Sequence, residues 1–200
     1  MTSTPILILP GYADSGPDHW QSHWERADPA CRRVVQDDWL EPRLADWLAT
    51  LDRSVRECDS PPVLVAHSLA CALVAHWATR AFEGRHGCAG APRALGGVGG
   101  HVGAPHSVKA ALLVAPADVD SPVHTPDEVR TFSPMPLARL PFPSIVVASG
   151  DDPFVEPSRA EAFAHAWGSR LITLPGAGHI NADAGYGPWP DGRTLLQQLL

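Results

Sequence analysis

Six short apolar runs punctuate the chain: "PILILP" (5–10), "RRVVQ" (32–36), "PVLVAH" (62–67), "KAALLVAP" (109–116), "SIVVASG" (144–150) and "RLITLP" (170–175). Most are apolar at successive positions rather than alternating, which is the pattern of strands covered on both faces. Between them, apolar positions recur at helical spacing over about 17–27, 42–57, 69–83, 158–167 and 191–200. This alternation of strand and helix predicts a three-layer α/β/α sandwich. Its sheet should be mostly parallel, with about six strands and right-handed crossovers. In an open sheet of this kind, ligand chemistry gathers beyond the carboxyl ends of the strands.

Two stretches break the rhythm. Residues 83–107, "EGRHGCAGAPRALGGVGGHVGAPHS", are dense in Gly, Ala, Pro and His without a period, and predict a flexible inserted loop at about 84–107. Residues 115–143 hold seven prolines and predict a lid or connecting loop. Neither suggests a second domain. With 200 residues and 44% apolar content, a single domain over 1–200 with one well-buried core is expected.

Charge and leader signals narrow the function classes. The formal net charge is −7, and the acids and bases are scattered. No basic stripe is present to follow a phosphate backbone, so nucleic acid is not an expected partner. The N-terminus lacks a basic region, and no stretch approaches about 18 consecutive apolar residues. The expectation is a soluble cytoplasmic protein with no membrane partner. The four cysteines, at 31, 58, 71 and 88, show no CxxC pairing and fit reduced thiols, with Cys71 inside an apolar helical pattern.

The chemistry is concentrated at strand ends. Ser68, in "VLVAHSLAC", stands between a buried strand and a helix, on a turn that would project its hydroxyl above the sheet edge. A serine there can simply cap the helix. As a nucleophile it needs a histidine to take its proton and a carboxylate to orient that histidine. The later strand ends supply both: Asp151 and Asp152 in "GDDPFVEP", then His179 in "GAGHINAD". Serine, acid and histidine follow in the order known for α/β hydrolases. Asp152 is favoured over Asp151 by its spacing to Val155 and Pro157, which leaves Asp151 as a loop hydrogen-bond acceptor. Asp118, at a nearer strand end, is a further candidate acid.

Acyl transfer also needs amides aimed at a developing oxyanion. The Leu69 N–H is one candidate, and the Tyr12 N–H, after Gly11 in the turn "LPGYADSG", is the other. His67 adjoins Ser68 too closely to swing its ring onto that hydroxyl. His19 and His23 share a helix face at i, i+4, while His86, Cys88, His101 and His106 crowd the 83–107 stretch. No ligand set of three or four is defined, so no metal is expected. Trp20 and Trp24 also share a face. Trp24 reads as core packing, whereas Trp20 is open between packing and the wall of a substrate pocket. "NADAGYGPWPDG", after His179, is a candidate for closing over the site, with Trp189 either structural or part of that closure.

"LPGYADSGPDHWQSHWE", "VLVAHSLAC", "SGDDPF" and "GAGHIN" together resemble the small serine hydrolases of the retinoblastoma-binding protein 9 family, within the α/β-hydrolase superfamily. The resemblance spans nearly the whole chain. It implies a compact hydrolase with minimal cap and no cofactor, and it carries the catalytic roles onto Ser68, Asp152 and His179. One departure is at the elbow: the usual G-x-S-x-G reads Ala66-His67-Ser68-Leu69-Ala70 here. The combined expectation is a carboxylesterase-like serine hydrolase, a monomer or small homo-oligomer, cleaving an ester, thioester or amide. Little chain remains for a cap, so a shallow pocket and a small-molecule substrate with a modest acyl chain are expected. The rival is a catalytically weak hydrolase-fold protein that acts as a protein-binding module through its Trp-rich first helix or the 83–107 loop.

Overall fold

The computed structural model of the protein describes residues 4–86 and 107–200. Its strands are β1 (Ile6–Leu9), β2 (Cys31–Arg33), β3 (Val63–His67), β4 (Ala110–Val114), β5 (Ser144–Ser149) and β6 (Arg170–Leu174). The helices are α1 (Trp20–Ala27), α2 (Leu44–Arg56), α3 (Leu69–His86), α4 (Pro157–Trp167) and α5 (Pro190–Gln197), and a 3-10 helix covers Asp127–Phe132. All six strands are parallel, in the order β2-β1-β3-β4-β5-β6. The sheet is therefore the open α/β sheet that the alternating pattern predicts.

Apolar burial follows from this layering. Every residue of β1, β3, β4 and β5 is buried, because helices cover both faces. Leu7, Leu9, Leu64, Ala66, Leu113 and Val146 pack with α2, α3 and α4 on one side. Ile6, Ile8, Val63, Val65, Leu112 and Val147 pack with α1 and α5 on the other. The period-2 alternation of strand side chains thus feeds two cores from each run.

Several element boundaries differ from expectation by about three residues, α1 starting at Trp20 and α5 ending at Gln197 among them; those of β2 and α3 have a clear local cause. β2 ends at Arg33 rather than continuing to Gln36. The Val34 amide still donates to Ile8 O, but Val35 is exposed as the chain leaves the sheet edge. α3 runs through Gly84 to His86, since a single glycine costs a helix only about 1 kcal/mol and does not end it. The rest of the expected 84–107 loop lies outside the described residues, apart from Ser107. Among the described residues, no helix is long and apolar enough to cross a membrane.

The strand order locates the site. From β1 the chain crosses to β2 on one side, then returns to β3 on the other, so the order reverses between β1 and β3. Leu9 pairs with Ala66 in that register. The segments after β1 and β3 therefore emerge together at the carboxyl edge, where such sheets bind ligands.

Candidate active site

Ser68 follows β3 directly and precedes the first residue of α3. Its φ of +55° lies in the left-handed region, which is strained for a residue with a side chain. The turn is fixed by its neighbours: the Ser68 amide donates to Val114 O at 2.9 Å, and the Cys71 amide donates to Ser68 O at 3.0 Å. Gly11 completes the packing. A Cβ added there would lie 2.8 Å from Ser68 Cβ and 2.9 Å from His67 O, so no side chain fits. The same position is 3.2 Å from the Leu69 nitrogen, which brings the turn after β1 against the first amide of α3. First-turn amides have no partner within their own helix. Close approach at this elbow therefore depends on the glycine across the sheet, while Ala66 and Ala70 are fully buried in the elbow itself.

The turn carrying Tyr12 is held from below by Arg33. Its guanidinium donates to the Asp14 carboxylate, to Glu25 Oε2 at 2.9 Å, to Ser22 Oγ at 2.6 Å and to Ser15 O at 3.1 Å. One half-buried cation from β2 thus ties the turn after β1 to α1.

His179 comes from the turn after β6. Its Nδ1 lies 2.9 Å from both carboxylate oxygens of Asp152, whose side chain has no exposed surface. The Phe154 amide donates to Asp152 Oδ1 at 2.9 Å and orients the carboxylate. A carboxylate facing Nδ1 fixes the tautomer with hydrogen on Nδ1, leaving Nε2 as an acceptor. His179 and Ser68 line one cavity of about 260 Å³, although no hydrogen bond joins their side chains. Such contacts are often long without substrate and tighten in the reactive complex.

The other two aspartates are engaged elsewhere. Asp151 accepts from Ser149 Oγ at 2.6 Å and from the Gly178 amide at 2.8 Å, and these bonds, the hydroxyl first, hold its carboxyl below the usual range. It thereby ties the end of β5 to the turn before His179. Asp118 accepts from Arg159 Nε at 2.9 Å and from Nη2 at 3.0 Å, away from His179.

Trp20, open in the sequence between packing and the pocket wall, is not on the cavity. It is fully buried, its Nε1 donates to Ile180 O at 2.8 Å, and its ring packs against Trp24 and Trp189. The indole turns inward because a main-chain acceptor waits there. Trp189 is buried in the same cluster and stacks on Trp24. The lining instead includes residues from the two stretches read as a lid or connecting loop and as a segment closing over the site, none of them singled out individually by the sequence. Thr125, Pro126 and Val129 come from the irregular proline-rich stretch, and Asn181 from beyond His179. Phe154, within the quoted "DDPF", sets its ring edge-on to His179 at 4.4 Å between centroids.

His19 and His67 complete the polar surroundings. His19 caps α1, its Nδ1 accepting from the Gln21 amide at 3.2 Å. Its Nε2, which then carries the ring hydrogen, has no acceptor among the described residues. Burial first, then the nearby His179 and Arg33, pushes the His19 pKa down to about 3. Burial likewise holds His67 well below the usual histidine value, with His179 and His19 adding to it. Both rings are neutral in the native state at neutral pH. In the unfolded chain they titrate near 6.5, so below about pH 6.5 the unfolded state binds more protons and native stability falls. Above that pH their stabilising contribution is complete. For His19 the loss accrues down to about pH 3. His19→Asn keeps a capping oxygen but removes one titrating ring. Its urea midpoint is expected to drop less between pH 7 and pH 5 than that of the wild type. Equal drops would contradict the burial argument.

Among the described residues, no three His, Cys, Asp or Glu side chains converge as metal ligands. No curated protein matches the chain. Among solved structures, a protein described as a YdeN-like hydrolase from Pectobacterium atrosepticum is 29% identical, with a TM-score of 0.77 over 98% of this chain and 90% of that one. The ydeN gene product of Bacillus subtilis is 20% identical, with a TM-score of 0.69 over 98% of each chain. Est1E from Butyrivibrio proteoclasticus, determined with ferulic acid bound, is 14% identical, with a TM-score of 0.65 over 99% of this chain and 90% of that one. At such identities the last two show the shared α/β-hydrolase fold. The family model described as "Serine hydrolase" matches residues 6–93 and 87–198, nearly the whole chain. On that match, the chain belongs to the serine hydrolase family.

Proposed function

We propose that Ser68, His179 and Asp152 form a catalytic triad that hydrolyses small uncharged acyl esters through an acyl-enzyme, in the manner of the retinoblastoma-binding protein 9 group of serine hydrolases. The observation that carries this reading is the paired contact of His179 Nδ1 with both Asp152 oxygens, in the cavity that also holds the strained Ser68 turn. In the first step His179 Nε2 takes the Ser68 proton as Oγ bonds to the substrate carbonyl carbon. The carbonyl π electrons move onto oxygen, where the Tyr12 and Leu69 amides hold the charge. The intermediate then collapses and expels the alkoxide, which takes the proton from His179 and leaves as the alcohol. Water repeats the sequence on the acyl-enzyme, releasing the carboxylic acid and restoring Ser68. Asp152 keeps the ring oriented and stabilises the imidazolium. Thioesters and amides fit the same steps, with a thiol or amine as leaving group. No step requires a metal or an organic cofactor.

Substrate size follows from the cavity. At about 260 Å³ it lies below the usual range for drug-sized ligands, and Tyr12, Leu69, Ala117, Val129 and Phe154 give it apolar walls. Among the described residues, Asp14 is the only carboxylate on the lining, and it is paired with Arg33. Among the described residues, no Lys or Arg lines the cavity to hold an acidic acyl group. For p-nitrophenyl esters, kcat/KM should therefore be highest with acetate to butyrate and at least tenfold lower with decanoate, as transition-state binding is lost when the chain cannot be housed. A preference for decanoate would refute the assignment of this cavity to the acyl group. A folded enzyme inert on every ester would instead favour the binding-module reading.

A further inference from the structure

The turn that carries His179 is held in an unfavourable shape. Ile180 has a φ of +48°, in the left-handed region that β-branched residues avoid, and its side chain is completely buried. Such a conformation persists only where its surroundings over-determine it. Two side-chain donors grip the main chain here. His67 Nε2 lies 2.9 Å from His179 O, and because a carbonyl only accepts, that nitrogen carries the hydrogen. Trp20 Nε1 donates to the next carbonyl, Ile180 O, at 2.8 Å.

The two donors come from different parts of the fold, and both lead back to the nucleophile. His67 is the residue before Ser68, so a single side chain links the nucleophile turn to the backbone of the histidine. Trp20 begins α1, where its ring meets His67 edge-on at 5.9 Å. His19 wedges against both, 5.2 Å from the Trp20 ring and 4.7 Å from that of His67. Behind the turn, Ser149 Oγ accepts the Ala177 amide and Asp151 accepts the Gly178 amide, and both tie the turn to β5 rather than to Ser68. Among the described residues, only His67 and Trp20 donate side-chain hydrogen bonds to this carbonyl pair.

We propose that His67 and Trp20 are positioning residues: through the His179 and Ile180 carbonyls they hold the strained base turn at the distance and angle from Ser68 that proton transfer needs. The inference rests on the triad reading above. Trp20 lies off the cavity and His67 only borders it; because both act through the two carbonyls, loss of either donor should lower kcat far more than it alters KM. A misplacement of about 1 Å costs on the order of a hundredfold in rate.

The test uses full-length His67→Gln, His67→Leu and Trp20→Phe beside wild type. It follows the rate of phosphonylation by a fluorophosphonate, kcat and KM on p-nitrophenyl butyrate, and the thermal midpoint. Glutamine places an amide N–H near the position of the imidazole Nε2, whereas leucine fills space without a donor. The expected result is a ten- to hundredfold lower kcat and labelling rate in His67→Leu and Trp20→Phe, a KM within about twofold, and recovery of most of the loss in His67→Gln. Folded Trp20→Phe and His67→Leu that label as fast as wild type would overturn the positioning role while leaving the triad standing. Failure of His67→Gln to recover more than His67→Leu would overturn the role of the His67 donor. If His67→Leu does not fold, Trp20→Phe decides. A folded wild type that forms no adduct would overturn the triad, and the positioning role with it.

Discussion

Ser68→Ala is expected to lower kcat for p-nitrophenyl butyrate by about 10⁶-fold, and His179→Ala by a similar factor, because the two act as one unit and either loss removes the covalent route. A residual rate above that in water should survive in both, supplied by the amides and by substrate binding. Stability should change little on Ser68→Ala. The Ser68 side chain makes no hydrogen bond with another described residue, and the turn is held by main-chain bonds to Val114 and Cys71. The double variant should be no slower than either single one. Additive losses in the double variant, or a Ser68→Ala enzyme within tenfold of wild type, would show that another group does the chemistry.

The second large effect separates three aspartates. Asp152→Asn should reduce kcat by about 10⁴-fold with KM little altered, because an amide stabilises the wrong imidazole tautomer and no longer supports the imidazolium. The space at that position would be unchanged, since Asn matches Asp in shape. Asp118→Asn should act on stability instead. It weakens the pair between buried Asp118 and partly exposed Arg159, at a cost of about 1–3 kcal/mol, and kcat should stay close to that of wild type. Kinetics at 25 °C and urea denaturation on the two variants distinguish these outcomes. A collapse of kcat in Asp118→Asn with an unaffected Asp152→Asn would reverse the assignment.

How much of this was legible in the sequence varies from residue to residue. The central strands declare themselves because burial on both faces disfavours polar positions, so β3, β4 and β5 read as apolar runs with polar residues only at their ends. Their ends then point to Ser68, to the Asp151–Asp152 pair and to His179. The adjacent aspartates are harder to separate, since neighbouring residues leaving a strand differ only in direction. In three dimensions Asp152 is buried against His179, whereas Asp151 is exposed and bonded to Ser149 and Gly178. Trp20 is misleading in sequence because it adjoins the Tyr12 turn along the chain, yet its indole N–H finds Ile180 O, 160 residues away. Thr125, Pro126 and Val129 belong to the proline-rich stretch read as a lid or connecting loop, but which of its residues reach the cavity is decided by tertiary packing and not by any local pattern. The His67 contact is of the same kind: position excludes His67 as base, but nothing local reveals that its ring reaches the His179 carbonyl.

The most direct measurement is intact mass after brief exposure to a fluorophosphonate at pH 7.5, on wild type, Ser68→Ala and His179→Ala. An activated serine displaces fluoride and gains one phosphonyl group per chain, whereas an ordinary hydroxyl does not react on that timescale. The predicted result is complete single labelling of wild type and none of either variant. An unlabelled but folded wild type, or a Ser68→Ala chain that still gains the adduct, would contradict the assignment of Ser68 as the nucleophile.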